Sequence, residues 1–391
     1  MEEPLVETGC DRLIDKGFSR FKGRRVGLVS NQASISRNLD FLADSMISAG
    51  IELCCIFGPQ HGIFAETQAN MVEWEGYRHP WLGIPVYSLY GKERTVKDEW
   101  LSDIDAIVID LQDVGARPYT YLWTSVIVMK ACAERGIELY VLDRPNPIGG
   151  IDVEGPILRE EFKSFVGLFP MTMRHGLTIG EALKMIDETE RIGSNIDVLK
   201  MRGWERSMYF AETGLPWVPP SPNIPTPESA LVYPGTVLLE GTNISEGRGT
   251  TRPFEIVGAP WIEPQRLLEE LDSRGLEGMH FRPLHFIPTW DKYSGKLCGG
   301  VQIHVTDAAK FKPVRCGAEI IAAAARLYPD EFRWKEPPYE YEWKISPIDI
   351  LIGNSELRNA IDSGTNMQTL FDDWQKDEES FRVQRERFLL Y

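Results

Sequence analysis

The sequence predicts an α/β protein in two parts, a parallel-sheet domain over residues 1–225 and a smaller α+β domain over 226–391. Three observations predict it. In the first half, short apolar runs alternate with stretches of helical period, the pattern of a parallel sheet covered on both faces. A proline-dense stretch, Pro216 to Pro227 (PWVPPSPNIPTP), then breaks the alternation, since prolines so dense fit neither a helix nor a central strand. Finally, 391 residues are too many for one ordinary core and suit two domains. The first part is therefore expected to be Rossmann-like, with the junction near the prolines.

Taken in order, Arg25-Val-Gly-Leu-Val-Ser30 reads as a strand and Asn38 to Ala49 as an amphipathic helix ending at Gly50. Ile51 to Phe57, Ile84 to Leu89, Ala106 to Asp110 and Ile137 to Leu142 read as further strands, with a helix from Tyr119 to Glu134 stopped by Gly136. Thr178 and Glu181 are spaced as a capping box at the start of another helix. Beyond the prolines, strands are expected near Phe281–Phe286 and Gly300–Val305. Helices are expected from Val314 to Leu327 and from about Met367.

Composition narrows the function. Apolar residues at 43% and charged residues at 26% describe a globular chain. A formal net charge of −16 argues against a nucleic-acid partner or an anionic membrane surface, while leaving room for a small anion held by a local arginine cluster. No apolar stretch approaches a membrane span, and the opening Met1-Glu-Glu-Pro-Leu-Val lacks a basic region followed by an apolar run. A cytoplasmic place is expected, with a processed, exported form left open. Cys10, Cys54, Cys55, Cys132, Cys298 and Cys316 have neither metal nor disulfide-framework spacing, which fits a reducing compartment.

Polar, non-repetitive residues gather where strands end. Gly58 to Asn70 follows the second strand, Asp110 to Tyr121 the Ala106 strand, and Asp143-Arg-Pro-Asn-Pro-Ile-Gly-Gly150 the Ile137 strand. In a parallel sheet these loops share the carboxyl edge, where open α/β sheets bind ligands. They carry Glu66, Asp110, Asp113, Asp143, His61, Gln60, Asn70, Tyr119 and Tyr121, an inventory suited to glycosidic cleavage by carboxylic acids. Strand-end Asp and Asn equally serve as caps and turns, and the Asp143 run with its prolines reads as well as a turn.

A second cluster runs from Glu240 to Phe254 (EGTNISEGRGTTRPF). Gly241, Gly247 and Gly249 would let a ligand approach the backbone, and Arg248 or Arg252 could grip a carboxylate bidentately. The cluster is neither a P-loop nor a dinucleotide fingerprint. Arg174 and His175 precede a helix start, where a histidine caps or packs as readily as it binds; His79, His280, His285 and His304 lack ligand-like spacing. No cofactor and no metal is expected, although His61, Asp110, Asp113 and His175 would be the ligands of a metal-assisted hydrolase.

The runs Gly27-Leu-Val-Ser-Asn-Gln-Ala33, Gly58-Pro-Gln-His-Gly62, Pro85 to Gly91, Asp110 to Arg117, Asp143 to Pro147, Pro220 to Pro225, Tyr233 to Thr236 and Glu240 to Phe254 resemble the bacterial exo-β-N-acetylmuramidases (NamZ-like glycosidases). The resemblance runs from about residue 25 to the C-terminus. It implies a cleft between a Rossmann-like domain and a smaller one, and release of N-acetylmuramic acid from the non-reducing end of peptidoglycan fragments during wall recycling. A muropeptide or glycan is then the substrate. Asn31, Asn223 and Asn243, which stand in these runs, join Gln60, Asn70, Asp113, Tyr119 and His175 as expected substrate contacts. The lactyl carboxylate falls to Arg248 or Arg252, with Arg117 or Thr250 assisting and Arg174 in reserve.

One departure matters. Many members carry Pro-Glu-His-Gly where this chain has Pro59-Gln60-His61-Gly62, and a glutamine neither donates nor accepts a proton at neutral pH. Glu66 is the expected replacement, with His61, Asp110, Glu154 and Glu246 as the other catalytic candidates. A muropeptide-binding protein without activity is the competing reading.

Overall fold

The fold, a computed structural model, describes residues 6–69, 71–92 and 94–391. Asn70, an expected substrate contact, lies outside the described residues. Strands β1 (Arg25–Ser30), β2 (Glu52–Gly58), β3 (Tyr77–Arg78), β4 (Pro85–Ser88), β5 (Ala106–Asp110), β6 (Glu138–Leu142) and β7 (Asn195–Leu199) form one sheet. Its order is β3-β4-β2-β1-β5-β6-β7, and every neighbouring pair is parallel except β3 with β4. The expected Rossmann-like first part is borne out.

Burial follows the pleat. Ile107 and Ile109 of β5 enter one apolar core while Ala106 and Val108 enter the other, because successive side chains leave a strand on opposite faces. Helices α1 (Gly9–Asp15) and α2 (Leu42–Ser48) cover one face, and α4 (Thr120–Arg135) and α5 (Ile179–Glu190) the other; α3 (Asp98–Leu101) is a single turn. The core on the α4 face continues into the rest of the chain, so α4 is buried almost all round and reads as apolar rather than amphipathic. The Thr178–Glu181 capping box is formed as expected.

The later part pairs β8 (Ile256–Ala259), β9 (Met279–Phe286) and β10 (Cys298–Val305) as an antiparallel sheet in the order β8-β10-β9. Around it lie α6 (Pro227–Thr236), α7 (Pro264–Asp272), α8 (Pro313–Leu327), α9 (Pro347–Ile352), α10 (Glu356–Ser363) and α11 (Met367–Glu386). This is the smaller α+β unit the sequence predicts. Three expectations change. The helix after β1 starts at Leu42, not Asn38, because the Ser36 hydroxyl accepts from the amides of Asn38 and Asp40 and holds a turn there. β7 and β8 were not expected.

The end of the chain returns to the first sheet. Asp377 and Glu378 of α11 accept from the amides of Ile157 and Gly155, both at 2.9 Å, and Arg385 donates to the carbonyls of His175 and Gly176. The Tyr391 hydroxyl donates to buried Asp143 (2.8 Å) and accepts from the Met201 amide (2.9 Å). Tyr391→Phe strips both groups of a partner, so a loss of about 1–3 kcal/mol is expected in urea unfolding. An unchanged midpoint would show that this anchor contributes nothing.

Candidate active site

The proline-dense segment lies across the carboxyl edge of the sheet. Gln32 Nε2 donates to the Pro219 carbonyl (2.7 Å), and Asn31 Nδ2 (2.6 Å) and the Tyr121 hydroxyl donate to that of Pro220. Asn31, expected at the substrate, is therefore consumed in fastening this strap. The loops after β2 and β5, the strap, and the chain from Tyr233 to Phe254 together enclose a pocket, with Tyr339 and Glu340 completing the wall.

On the first-sheet side, Gln60 accepts from the Thr120 hydroxyl at 2.8 Å. His61 stands beside it at φ 70°, its Nδ1 2.7 Å from the Thr67 carbonyl. That carbonyl can only accept, so the proton sits on Nδ1 and Nε2 is left as an acceptor. Burial lowers the His61 pKa to about 4, with Arg248 adding to the effect against the Thr67 bond, so the ring is neutral at pH 7. Tyr119 lines the pocket with its ring edge-on to Tyr233, 5.8 Å between centroids. Asn223 also lines it, its amide nitrogen bound to the Gln68 carbonyl (2.7 Å).

The opposite wall is charged and buried. Arg248 donates through Nη2 to Glu240 (2.7 Å) and through Nε to Glu246 (3.1 Å). Glu240 also accepts from the Tyr339 hydroxyl (2.7 Å), and Glu246 from Lys292 (2.9 Å). Burial opposes the Arg248 charge, but the two glutamates more than offset this and hold the guanidinium protonated. Its Nη1 is buried with no acceptor among the described residues. Glu340 accepts from Arg94 Nη1 (2.6 Å) and from the Tyr90 hydroxyl (3.0 Å), and burial raises its pKa above the usual carboxylate range.

Several expected residues stand elsewhere. Glu66 is exposed on the outer side of the His61 loop, its carboxylate against Gly62, and does not line the pocket. Asp110 is fully buried in a two-point pair with Arg144 (2.5 and 2.8 Å) that ties β5 to the loop after β6. Glu154 sits under α8, accepting from the Arg315 amide, and Glu246 is saturated by its two cations, which lower its pKa against burial. Arg117 is wholly buried and donates to the carbonyls of Pro156, Met171 and Leu351, bracing the first sheet against α9. Arg174 is likewise buried, against the Ile148 carbonyl and Asp152.

Asp113 accepts from the Gly115 amide and lies 3.6 Å from His175, whose Nδ1 accepts from Leu177; neither lines the pocket. Asn243 pairs with the backbone of Glu331 and Arg333, and Thr250 closes a turn onto the Gly247 carbonyl. Arg252 is exposed beside Glu255. The glycines of this loop make room for the protein itself: a Cβ on Gly247 would lie 2.3 Å from the Ile256 carbonyl oxygen, and one on Gly249 2.5 Å from that of Trp290.

Of the expected residues, then, the structure brings together Gln60, His61, Tyr119, Asn223 and Arg248, and adds Glu240, Tyr339 and Glu340. The expected bidentate grip of Arg248 is not open to a ligand, since Nε and Nη2 are committed and only Nη1 remains. Among the described residues no group of three or more His, Cys, Asp or Glu is placed to hold a metal ion.

An open α/β sheet whose carboxyl edge carries a pocket of carboxylates, amides and tyrosines suits a carbohydrate-cleaving hydrolase. Within that class the chain belongs to the exo-β-N-acetylmuramidase NamZ family, matching its N-terminal part over residues 26–228 and its C-terminal part over 231–391. It is 43% identical over 391 residues to the peptidoglycan β-N-acetylmuramidase NamZ of Bacillus subtilis strain 168, covering all of this chain and 92% of that protein. It is also similar to two crystal structures of DUF1343 family proteins from Bacteroides fragilis NCTC 9343. The first has a TM-score of 0.91 at 34% identity, with all of both chains covered. The second has 0.74 at 27%, with 99% of each covered.

Proposed function

We propose that this protein removes N-acetylmuramic acid from the non-reducing end of peptidoglycan fragments, as in wall recycling. Residues 1–225 supply the sheet-edge loops and 226–391 the charged wall. The observation that carries this is the unspent Arg248 Nη1 in a pocket that also presents Glu240 and Glu340. A buried donor without an acceptor is costly, and a ligand carboxylate would relieve it. N-acetylmuramic acid differs from N-acetylglucosamine by a lactyl carboxylate. His61 Nε2 and the amides of Gln60 and Asn223 suit the sugar's hydroxyl and acetamido groups.

Glu340, whose pKa burial raises against the pull of Arg94, is the acid that gives its proton to the leaving oxygen. Glu240, anchored by Arg248 and Tyr339, stabilises the oxocarbenium-like centre. The proton-transfer role expected of Glu66 passes to Glu340 because Glu66 faces solvent. No helix of the described residues is long and apolar enough to cross a membrane, and six free thiols suit a reducing compartment such as the cytoplasm.

The test is turnover of a chromogenic β-N-acetylmuramide beside the matching β-N-acetylglucosaminide, before and after exhaustive chelation. Release from the muramide alone, unchanged by chelation, is the expected result. Gln60 favours one other reading, a muropeptide-binding relative without activity; tight binding of N-acetylmuramic acid with no turnover would establish it.

A further inference from the structure

No residue of the loop between β9 and β10 (287–297) lines the pocket, yet the loop is bound to the Glu240–Phe254 stretch at several points. The amide and hydroxyl of Thr289 both donate to the Gly249 carbonyl at 2.9 Å, and the Tyr293 hydroxyl donates to that of Asn243 at 2.6 Å. Between them Lys292 Nζ donates to the Leu239 carbonyl (2.8 Å), the Ile244 carbonyl (2.9 Å) and Glu246 Oε2 (2.9 Å). Three acceptors use all three N–H donors of an ammonium, so Lys292 has none left for a ligand. Asp291 and Tyr293, on either side of it, hold positive φ (66° and 59°), a backbone form that non-glycine residues keep only when their surroundings enforce it.

Glu246 is thereby held at both oxygens, Oε2 by Lys292 and Oε1 by Arg248 Nε at 3.1 Å. Arg248 Nη2 is fixed in turn by Glu240 Oε1 (2.7 Å), whose other oxygen accepts from Tyr339. A guanidinium is planar and rigid, so two fixed nitrogens set the direction of the third. Each glutamate has its own holder, and Nη1, buried with no acceptor among the described residues, points where the two together aim it. We propose that Lys292 is a positioning residue for substrate selection: through Glu246 it fixes the direction of Arg248 Nη1, and so the preference for a sugar that carries a lactyl carboxylate. This role rests on the reading of Nη1 as the receiver of that carboxylate. Without Lys292 the Glu246 carboxylate is free to rotate and Arg248 Nε follows it, leaving Glu240 as the one fixed point.

The test compares the wild type with Lys292→Met, which keeps the stem and removes the ammonium, and with Glu246→Gln, which keeps Lys292 and cuts the link. Crystal structures show where Nη1 points, and calorimetric titration gives the affinities for N-acetylmuramic acid and N-acetylglucosamine. In both variants the Arg248 guanidinium is expected to turn from its wild-type direction and the affinity for N-acetylmuramic acid to fall by about tenfold or more. The affinity for N-acetylglucosamine, which has no lactyl group, should change by less than about threefold. On a chromogenic muramide, Lys292→Met should raise KM with little change in kcat, the sign of lost uniform binding rather than of a damaged reacting centre. The double variant should lose no more than either single one, since both cut the same link. An unmoved Arg248 in a folded variant, or equal losses on both sugars, would overturn the proposal, and Glu246→Gln decides the matter if Lys292→Met does not fold. A wild type that binds both sugars equally would count against the lactyl reading of the pocket and the selective role with it. A selective wild type whose variants keep that selectivity would overturn the role of Lys292 alone.

Discussion

Glu340→Gln is expected to lower kcat/KM on a chromogenic muramide by about 10²–10⁴, the usual loss when a positioned acid is removed. Glutamine keeps the shape and can still accept from Tyr90 and Arg94, so the fold should survive. The pH profile gives a second readout. Burial raises the Glu340 pKa, so its acid form persists above the usual carboxylate range. Activity should therefore fall as pH rises through that raised value, and the variant's residual activity should lack this alkaline limb. Glu66→Gln, in contrast, should leave turnover within about a factor of three, against the far larger loss of a true acid. A variant at 340 that keeps more than about a tenth of the wild-type rate would remove Glu340 from the mechanism.

Arg248→Ala should have the largest effect on stability. Arg248 is the cation held between Glu240 and Glu246, and its removal takes a buried counter-charge from both carboxylates. Breaking a buried ion pair from one side costs about 3–5 kcal/mol, most of it the penalty of uncompensated charge. Denaturant unfolding should show that loss. Adding Glu240→Gln and Glu246→Gln should recover a good part of it, since neutral amides need no counter-charge. Activity should remain lost in both variants. A single variant as stable as the wild type would mean that the network is solvated and that Nη1 is not a pre-formed site for an anion.

The strands of the first sheet were legible wherever both faces are buried. β1 and β5 are continuous apolar runs because helices cover each side, and their bounds match the expected ones. β7 was not legible, since Asn195-Ile-Asp-Val-Leu199 is an edge strand with two exposed polar residues and reads as loop. β8 has four residues just after the arginine-bearing stretch, too few to show a period. In the site, sequence position alone could not separate Arg117 from Arg248. Both are arginines in polar loops, and only the fold shows that one meets three carbonyls in the core while the other faces a pocket. Glu340 was missed because Pro337-Pro338-Tyr339-Glu340-Tyr341 has neither helical nor strand period. Its signal was the same as that of the strap, prolines alternating with aromatic and polar residues in an irregular segment.

The central claim, that the pocket between Gln60 and Arg248 receives the terminal N-acetylmuramic acid, is tested most directly by a crystal structure of the Glu340→Gln variant soaked with that sugar. The account predicts the ring among Gln60, His61 and Tyr119, with the lactyl carboxylate on Arg248 Nη1 and the anomeric carbon toward residue 340. A sugar bound elsewhere, or bound in the pocket with its lactyl group pointing away from Arg248, would contradict it.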